Sequence, residues 1–290
     1  MSEVLQLLLS GLSQGCVYGL IALGFVMVYK ATEMLNFAQG ELMMVGAFVA
    51  FTVVNLMGLP FVFGVPLTLA AMVAFGMGLE RGVLRPMIGE PPFAVLMLTI
   101  GLGFVLRAVA GAIWGNEPRT LDVPFAGDVL NLGRIVLGVE NLVVIAGTAV
   151  LCIALWLFFR YSRIGVAMQA ASQNQLAAYY SGVPVKRITS LVWGISAAIS
   201  ATAGMLVAPI ALIDPNMGLV GIKAFAAAIV GGFGSLPGAI VGGLVIGVAE
   251  QFAGRYLPAG AGEVSAFAIL LIMLFVRPEG IFASLQQKKV

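Results

Sequence analysis

Runs of roughly 20 predominantly apolar residues recur along this sequence, and no other feature limits its fold so severely. They lie at about 4–29, 39–57, 61–84, 93–114, 142–159 and 188–209, with a last one at 264–276. A helix needs about 20 such residues to cross the hydrocarbon layer of a bilayer. The chain is 61% hydrophobic and only 10% charged, whereas soluble domains carry about 25% charged residues. That much apolar surface has no place in one water-soluble core. The expected fold is an all-α polytopic integral membrane protein of about eight transmembrane helices. It forms a single membrane domain over 1–290, without a fixed-period repeat.

Where the charges lie says more than their sum of +2, which is too small and too scattered for a nucleic-acid partner. Lys30, Arg81, Arg85, Arg160, Arg163, Lys186, Arg187, Arg277, Lys288 and Lys289 fall in segments of one side. Arg119, Arg134, Lys223 and Arg255 fall in those of the other. Basic residues in short loops are retained in the cytoplasm, so the amino terminus is expected outside and the carboxyl terminus inside. No Lys or Arg precedes the first apolar run, which is also too long for a signal peptide; it reads as a retained first span. Cys16 and Cys152 sit within apolar runs and read as small packing residues. The absence of histidine removes the commonest general base and metal ligand, and no G-x-x-x-x-G-K-[ST] loop is present. Neither catalysis nor a bound metal is expected of this chain.

This orientation requires an odd number of net crossings, so the seventh region, 223–252, should begin and end on the outer side. It is interrupted by Gly231-Gly-Phe-Gly-Ser-Leu-Pro-Gly238. Ser235 or Leu236 can cap the second arm, and Pro237 suits a first helical turn. The first arm has about a dozen residues, roughly 18 Å, which is short for a crossing. A re-entrant half-helix is preferred, and two full crossings joined by a tight Gly turn are the alternative.

Three further features bear on function. The inner loop 160–187 is uncharged between Arg163 and Lys186 and ends a helix-forming stretch at Gly182. Such a helix either docks on a cytoplasmic partner or rests on lipid headgroups. Asn36-Phe-Ala-Gln-Gly-Glu41 opens the second span with three polar side chains. Asn36, Gln39 and Gly40 share a helical face, with Glu41 turned away, and the group serves either as part of a pathway or as a cap at the membrane surface. Glu80, Arg107 and Glu250 are charges in or near apolar runs whose pairing spacing does not reveal. Glycines at four-residue spacing, Gly238 with Gly242 and Gly243 with Gly247, mark close helix contacts. The acidic outer segment 116–140 is either a partner contact or a solvated loop.

The sequence resembles the permeases of branched-chain amino acid ABC transporters of the LivH type. The resemblance rests on 36–48, on Gly182-Val-Pro-Val-Lys-Arg187 and most specifically on 221–243. It implies a homologous second permease, two cytoplasmic ATPase subunits that use ATP and Mg, and an external or periplasmic solute-binding protein, with this chain in the bacterial or archaeal cytoplasmic membrane. Permeases of this broad class dock on the ATPase through Glu-Ala-Ala, three residues, then Gly. Leu176-Ala177-Ala178 and Gly182 keep that spacing, with Leu in place of Glu, so the resemblance assigns ATPase coupling to Ala170, Leu176, Ala177, Ala178, Tyr179 and Gly182. Asn36, Gln39, Glu41, Gly231, Gly232, Gly234, Ser235 and Pro237 are the candidates for a translocation pathway. Branched-chain amino acids are the expected solutes. Similar permeases serve urea, short amides or other carboxylates, and an ion-coupled carrier using Glu41 and Glu250, or a purely structural subunit, is the rival of a different class.

Overall fold

The computed structural model describes residues 2–125, 127–132 and 135–282. Arg134, Lys288 and Lys289 lie outside the described residues. The described residues form α1 (Ser2–Thr32), α2 (Gln39–Phe51), α3 (Phe61–Leu79), α4 (Pro92–Trp114), α5 (Val139–Tyr161), α6 (Arg163–Gln173), α7 (Gln175–Tyr180), α8 (Val185–Val207), α9 (Val220–Gly231), α10 (Leu236–Tyr256) and α11 (Ala261–Val276). Between α4 and α5 a two-stranded antiparallel ribbon, β1 (Val129–Leu132) and β2 (Ile135–Gly138), joins the helices. Seven of the helical segments are long and apolar enough to cross a membrane, and the segments around α9 and α11 are shorter.

Helix ends follow local chemistry. Pro60 and Pro91 precede α3 and α4, and Pro92 occupies the first turn of α4, where its missing N–H has no intrahelical partner to lose. The Ser235 hydroxyl accepts from the Gly238 N–H at 3.1 Å and caps α10, with Pro237 in the first turn. α1 ends where Glu33 takes a left-handed conformation, φ 57°, rare outside glycine.

The interior belongs to α1, α2 and α8, whereas α5 buries little beyond Val144 and Thr148 and presents Val150, Ile153 and Trp156 outward. An apolar exterior of this kind is the surface a bilayer wets. Hydrocarbon gives no hydrophobic drive between helices, so close packing decides association. α1 and α10 run antiparallel with their most intimate contact at Gly15 and Gly19 against Gly243 and Gly247. A Cβ on Gly247 would collide with the Gly15 backbone. The other stripe of α10, Gly238 and Gly242, receives α9 at Gly231 and Ala227.

Three buried or half-buried ion pairs settle the pairing that spacing left open. Glu80, 1% exposed, pairs with Arg85 through two N–H donors at 2.9 and 3.1 Å, and both meet Ser190 of α8. Glu41 pairs with Arg107 at 2.8 Å. Glu250 pairs with Lys223 and accepts from the Tyr18 hydroxyl at 2.6 Å. Lys223 thus neutralises a carboxylate inside the bundle and is not a loop charge of the outer side. Removing the Arg85 partner, as in Arg85→Ala, strands Glu80 in a nearly dry site. Loss of about 3 kcal/mol is expected, read as a lowered thermal midpoint of the purified protein. Glu80→Gln in the same background should recover part of it.

The hairpin near the carboxyl terminus is present, and α9 has the 12 residues of a half-helix. Its Gly-rich turn, however, is not the part at membrane depth. Phe233 packs on Tyr29 at the end of α1, Leu236 lies beside Lys30, and the N–H groups of Ile281 and Phe282 donate to the carbonyls of Val230 and Gly231. The turn is therefore at the basic end, strapped by the chain beyond α11. α10 runs from there for 21 residues, about 31 Å, a full crossing. The end of α9 buried at depth is its beginning: the largely irregular 208–219 returns from the opposite end, where Ile213 pairs with Arg119, and Gly218 and Gly221 pack on Glu41 and Gly40.

Candidate functional site: two interrupted segments meeting midway

α2 also begins at depth. Residues 33–38 are non-helical and return into the bundle after α1, so that Gln39 reaches Ser196 and Ser200, midway along α8, and Glu41 reaches Gly103, midway along α4. Backbone that is not helical inside a membrane needs protein partners. Thr99 of α4 supplies them: its hydroxyl oxygen accepts from the Phe37 N–H at 3.2 Å and lies 3.3 Å from the Leu35 carbonyl. The Asn36 side chain accepts from the Ala38 N–H at 3.2 Å and donates to Gln39 Oε1 at 2.9 Å. Gln39 Nε2 donates to Ser196 and Ser200 at 2.8 and 2.6 Å, and the Ser196 hydroxyl donates to the Gly24 carbonyl at 3.1 Å. All five side chains, Asn36, Gln39, Thr99, Ser196 and Ser200, are buried. Asn36 thus lies just before the helix, and with Gln39 it braces α2 against α1 and α8.

The start of α9 meets the start of α2. Gly40 packs on the backbone of Gly218 and Gly221, so closely that a side chain on either helix would separate them, and Gly218 lies against Glu41. Two interrupted segments, one from each half of the chain, therefore converge at one level.

Beside this junction is a cavity of about 310 Å³ lined by Phe25, Phe37, Glu41, Ile100, Phe104, Arg107 and Ile222 among others. Through Phe104 and Arg107 it continues into a second, of about 540 Å³, which follows α4 past Ala108 and Ala112 to Asn116, Pro215 and Asn216. Those last residues are at the end opposite the basic one, where Arg119 pairs with Ile213 through both backbone groups. Towards the basic end the way is closed by aromatic rings in edge and tilted contact. Phe37 meets Phe225 at 4.8 Å, Phe225 meets Phe233 at 5.6 Å, and Phe233 meets Tyr29 at 5.2 Å. The groove is open at one end and sealed at the other.

Of the residues singled out from sequence as pathway candidates, Glu41 lines this groove. Asn36 and Gln39 stand behind it. Gly231, Gly232, Gly234, Ser235 and Pro237 form the turn beneath the aromatic rings, away from the cavity. Arg107, Phe104 and Ile222 were missed as site residues. A lone arginine in an apolar run was a visible signal for the first, but aromatic and aliphatic residues in a membrane helix carry none.

The loop 160–187 is two helices rather than one. Asn174, extended at φ −159°, ends α6 and its side chain accepts from the Ala177 N–H at 2.9 Å to cap α7. Ala170 is therefore on α6, and Leu176, Ala177, Ala178 and Tyr179 are on α7. α7 closes on Gly182, φ +83°, with the Val183 N–H donating to the Ala178 carbonyl at 3.0 Å, a left-handed helix end. Ala178 points inward, while Leu176, Tyr179 and Tyr180 are 70%, 66% and 84% exposed. Gln175 Nε2 donates to the Ala31 carbonyl at 2.8 Å, fastening α7 to the end of α1.

Comparison with known proteins matches the chain to transport permeases. Residues 7–277 match the family model described as branched-chain amino acid transport system / permease component. The chain is 34% identical to LivH of Escherichia coli K12, a high-affinity branched-chain amino acid transport system permease protein, over 99% of this chain and 97% of that one. It is 33% identical to BraD of Pseudomonas aeruginosa, which bears the same description, over 99% and 98%. It is 30% identical to a probable branched-chain amino acid transport permease, LivH, of Methanocaldococcus jannaschii, over 90% and 87%.

Proposed function

The chain belongs to the family of branched-chain amino acid transport permeases, and on that premise we propose that it works as one membrane subunit of an ATP-driven importer of branched-chain amino acids. A homologous second permease lies against the open groove and completes the pathway. An external binding protein delivers the solute, and two cytoplasmic ATPases, which use ATP and Mg, drive the cycle. The observation that carries the transport reading is the groove itself, open at one end, closed at the other by aromatic rings, and floored midway by the Glu41–Arg107 ion pair beside the junction of two interrupted segments.

Orientation follows from charge. Lys30, Arg85, Lys186 and the turn beneath Arg277 share one end, since Arg85 donates to the Lys186 carbonyl at 3.3 Å and the 277–282 strap packs on the α9–α10 turn beside Lys30. Basic loops remain in the cytoplasm, so this end is cytoplasmic, the amino terminus is outside, and the chain resides in the cytoplasmic membrane of a bacterium or archaeon. α6 and α7 are then at the cytoplasmic face, where the exposed Leu176, Tyr179 and Tyr180 fit a groove on the ATPase. Closure of the ATPases displaces α7, and Gln175 and Ala178 pass the movement to α1 and α8.

The test is uptake of leucine into liposomes containing the assembled transporter. Uptake is expected only with ATP and with a leucine-loaded binding protein outside. Uptake by this chain alone, driven by an ion gradient, would replace the importer reading with a carrier.

A further inference from the structure

The importer reading leaves open how a solute carrying two opposite charges is received in an apolar groove. Glu41 and Arg107 face each other midway through the bundle, joined by one hydrogen bond, from Arg107 Nη2 to Glu41 Oε1 at 2.8 Å. A guanidinium has five N–H donors and a carboxylate about four acceptor sites. Here Arg107 Nε is buried without a hydrogen-bond partner, and among the described contacts Glu41 Oε2 accepts from no side chain. The pair is also off-centre in its surroundings. The cavity beside it is walled by Phe25, Phe37, Ile100, Phe104 and Ile222, with little other polar surface.

Resting on the importer reading, we propose that Glu41 and Arg107 form a transient binding site for the head group of a zwitterionic aliphatic amino acid, with its side chain in the Phe25–Phe37–Ile100–Ile222 cavity. The ammonium group meets the free oxygen of Glu41 and the carboxylate meets the terminal guanidinium N–H groups of Arg107 that Glu41 leaves unused. The four charges alternate in sign and sum to zero, so the solute enters without adding net charge to a poorly solvated site. A carboxylate beside Arg gains a charge-assisted, directional bond. The cavity, about 310 Å³, is at the small end of ligand-sized pockets, which run from about 300 to 1,000 Å³. It admits a branched aliphatic side chain in contact with aromatic faces. The outer groove along α4 provides the approach, and the Phe37–Phe225 contact blocks onward movement until the subunit changes conformation.

The test uses the assembled transporter in liposomes, without binding protein. Ile222, half exposed at the mouth of the cavity, is replaced by cysteine in a chain carrying Cys16→Ala and Cys152→Ala. Its modification by a small thiol reagent is timed in leucine, in leucinamide, which lacks the carboxylate, and in 4-methylpentanoate, which lacks the ammonium. Leucine should slow modification, and each single-charge analogue should need about tenfold more for the same effect, the loss expected for one hydrogen bond to a charged group. Glu41→Gln, Arg107→Gln and the charge-neutral double variant should each raise the leucine requirement by about tenfold or more. The double variant leaves no unpaired charge and so guards against simple misfolding of the single ones. Equal potency of the three solutes, no slowing by leucine, or unchanged protection in the double variant would overturn the proposal. So would a rate that responds only to the lipid mixture, which would assign the cavity to an acyl chain. ATP-dependent uptake by the parent transporter is measured in parallel. Its failure removes the importer reading, whereas normal uptake with no protection removes only the site.

Discussion

Leu176→Asp combined with Tyr179→Ser should abolish leucine uptake and the stimulation of ATP hydrolysis by the binding protein, while the permease still inserts and folds. Both side chains are largely exposed, and neither supports the bundle; α7 is held by Gln175, by buried Ala178 and by its two caps. On the proposed reading their apolar surface is covered by the ATPase. A carboxylate there would be desolvated without a partner, at a cost of several kcal/mol against a contact that depends on a few central apolar anchors. The measurements are co-purification of the ATPase with the permease and ATP turnover in liposomes. A double variant that retains the ATPase and its stimulation would show that α7 rests on lipid. Gly182→Val makes a separate point. No atom crowds that position, so its effect comes from forcing a β-branched residue to φ +83°, about 1–2 kcal/mol. Coupling should weaken there rather than vanish.

Gly247→Leu is expected to prevent formation of the folded permease. α1 and α10 touch backbone to backbone at Gly15–Gly247 and Gly19–Gly243, so a side chain at 247 must drive two central helices apart. α1 is the most buried helix of the bundle, carrying Val17, Leu20, Ile21, Phe25 and Val26 into the interior. Separating it from α10 opens cavities along its whole length, and each buried aliphatic group that loses its neighbours costs about 2–5 kcal/mol when truncation data are the guide. Glu250, one turn further on, would also be drawn from Tyr18. Against a total stability of about 5–15 kcal/mol, nothing folded should be recovered. Fluorescence size-exclusion of the detergent-solubilised protein would report it. Gly254→Leu, near the exposed end of the same helix with only Gly262 at the edge of contact, should behave as the parent.

Membrane spans are legible from sequence because the bilayer applies one rule to every residue along a helix. The runs at 61–84, 93–114 and 142–159 accordingly fall on α3, α4 and α5 within a few residues. The Gly182 helix end and the Ser235 cap were legible for a similar reason, since a left-handed turn and an unpaired N–H are local demands. Depth was another matter. Residues 33–38 and the end of 208–219 contain nothing that marks them as inside the bundle; the first are held there by Thr99 at Phe37 and by Ser196 and Ser200 at Gln39, and the second by Gly218 packing on Gly40 and Glu41. The Gly231–Gly238 stretch announced a break but not where the break would sit, which was fixed by α10 being long enough to cross and by the 277–282 strap.

From the sequence alone follow the bilayer as solvent, the order of the spans, the family resemblance and the side on which basic residues gather. These are properties summed over consecutive residues, and they survive without knowledge of any neighbour. Only the tertiary structure decided that Glu80 pairs with Arg85, Glu41 with Arg107 and Glu250 with Lys223, that Asn36 and Gln39 brace rather than face the groove, and that α2 and α9 begin at one level. Each of these depends on which helix stands beside which in lipid. There, close packing and the satisfaction of every polar group select the partner, and residues far apart in the chain supply it.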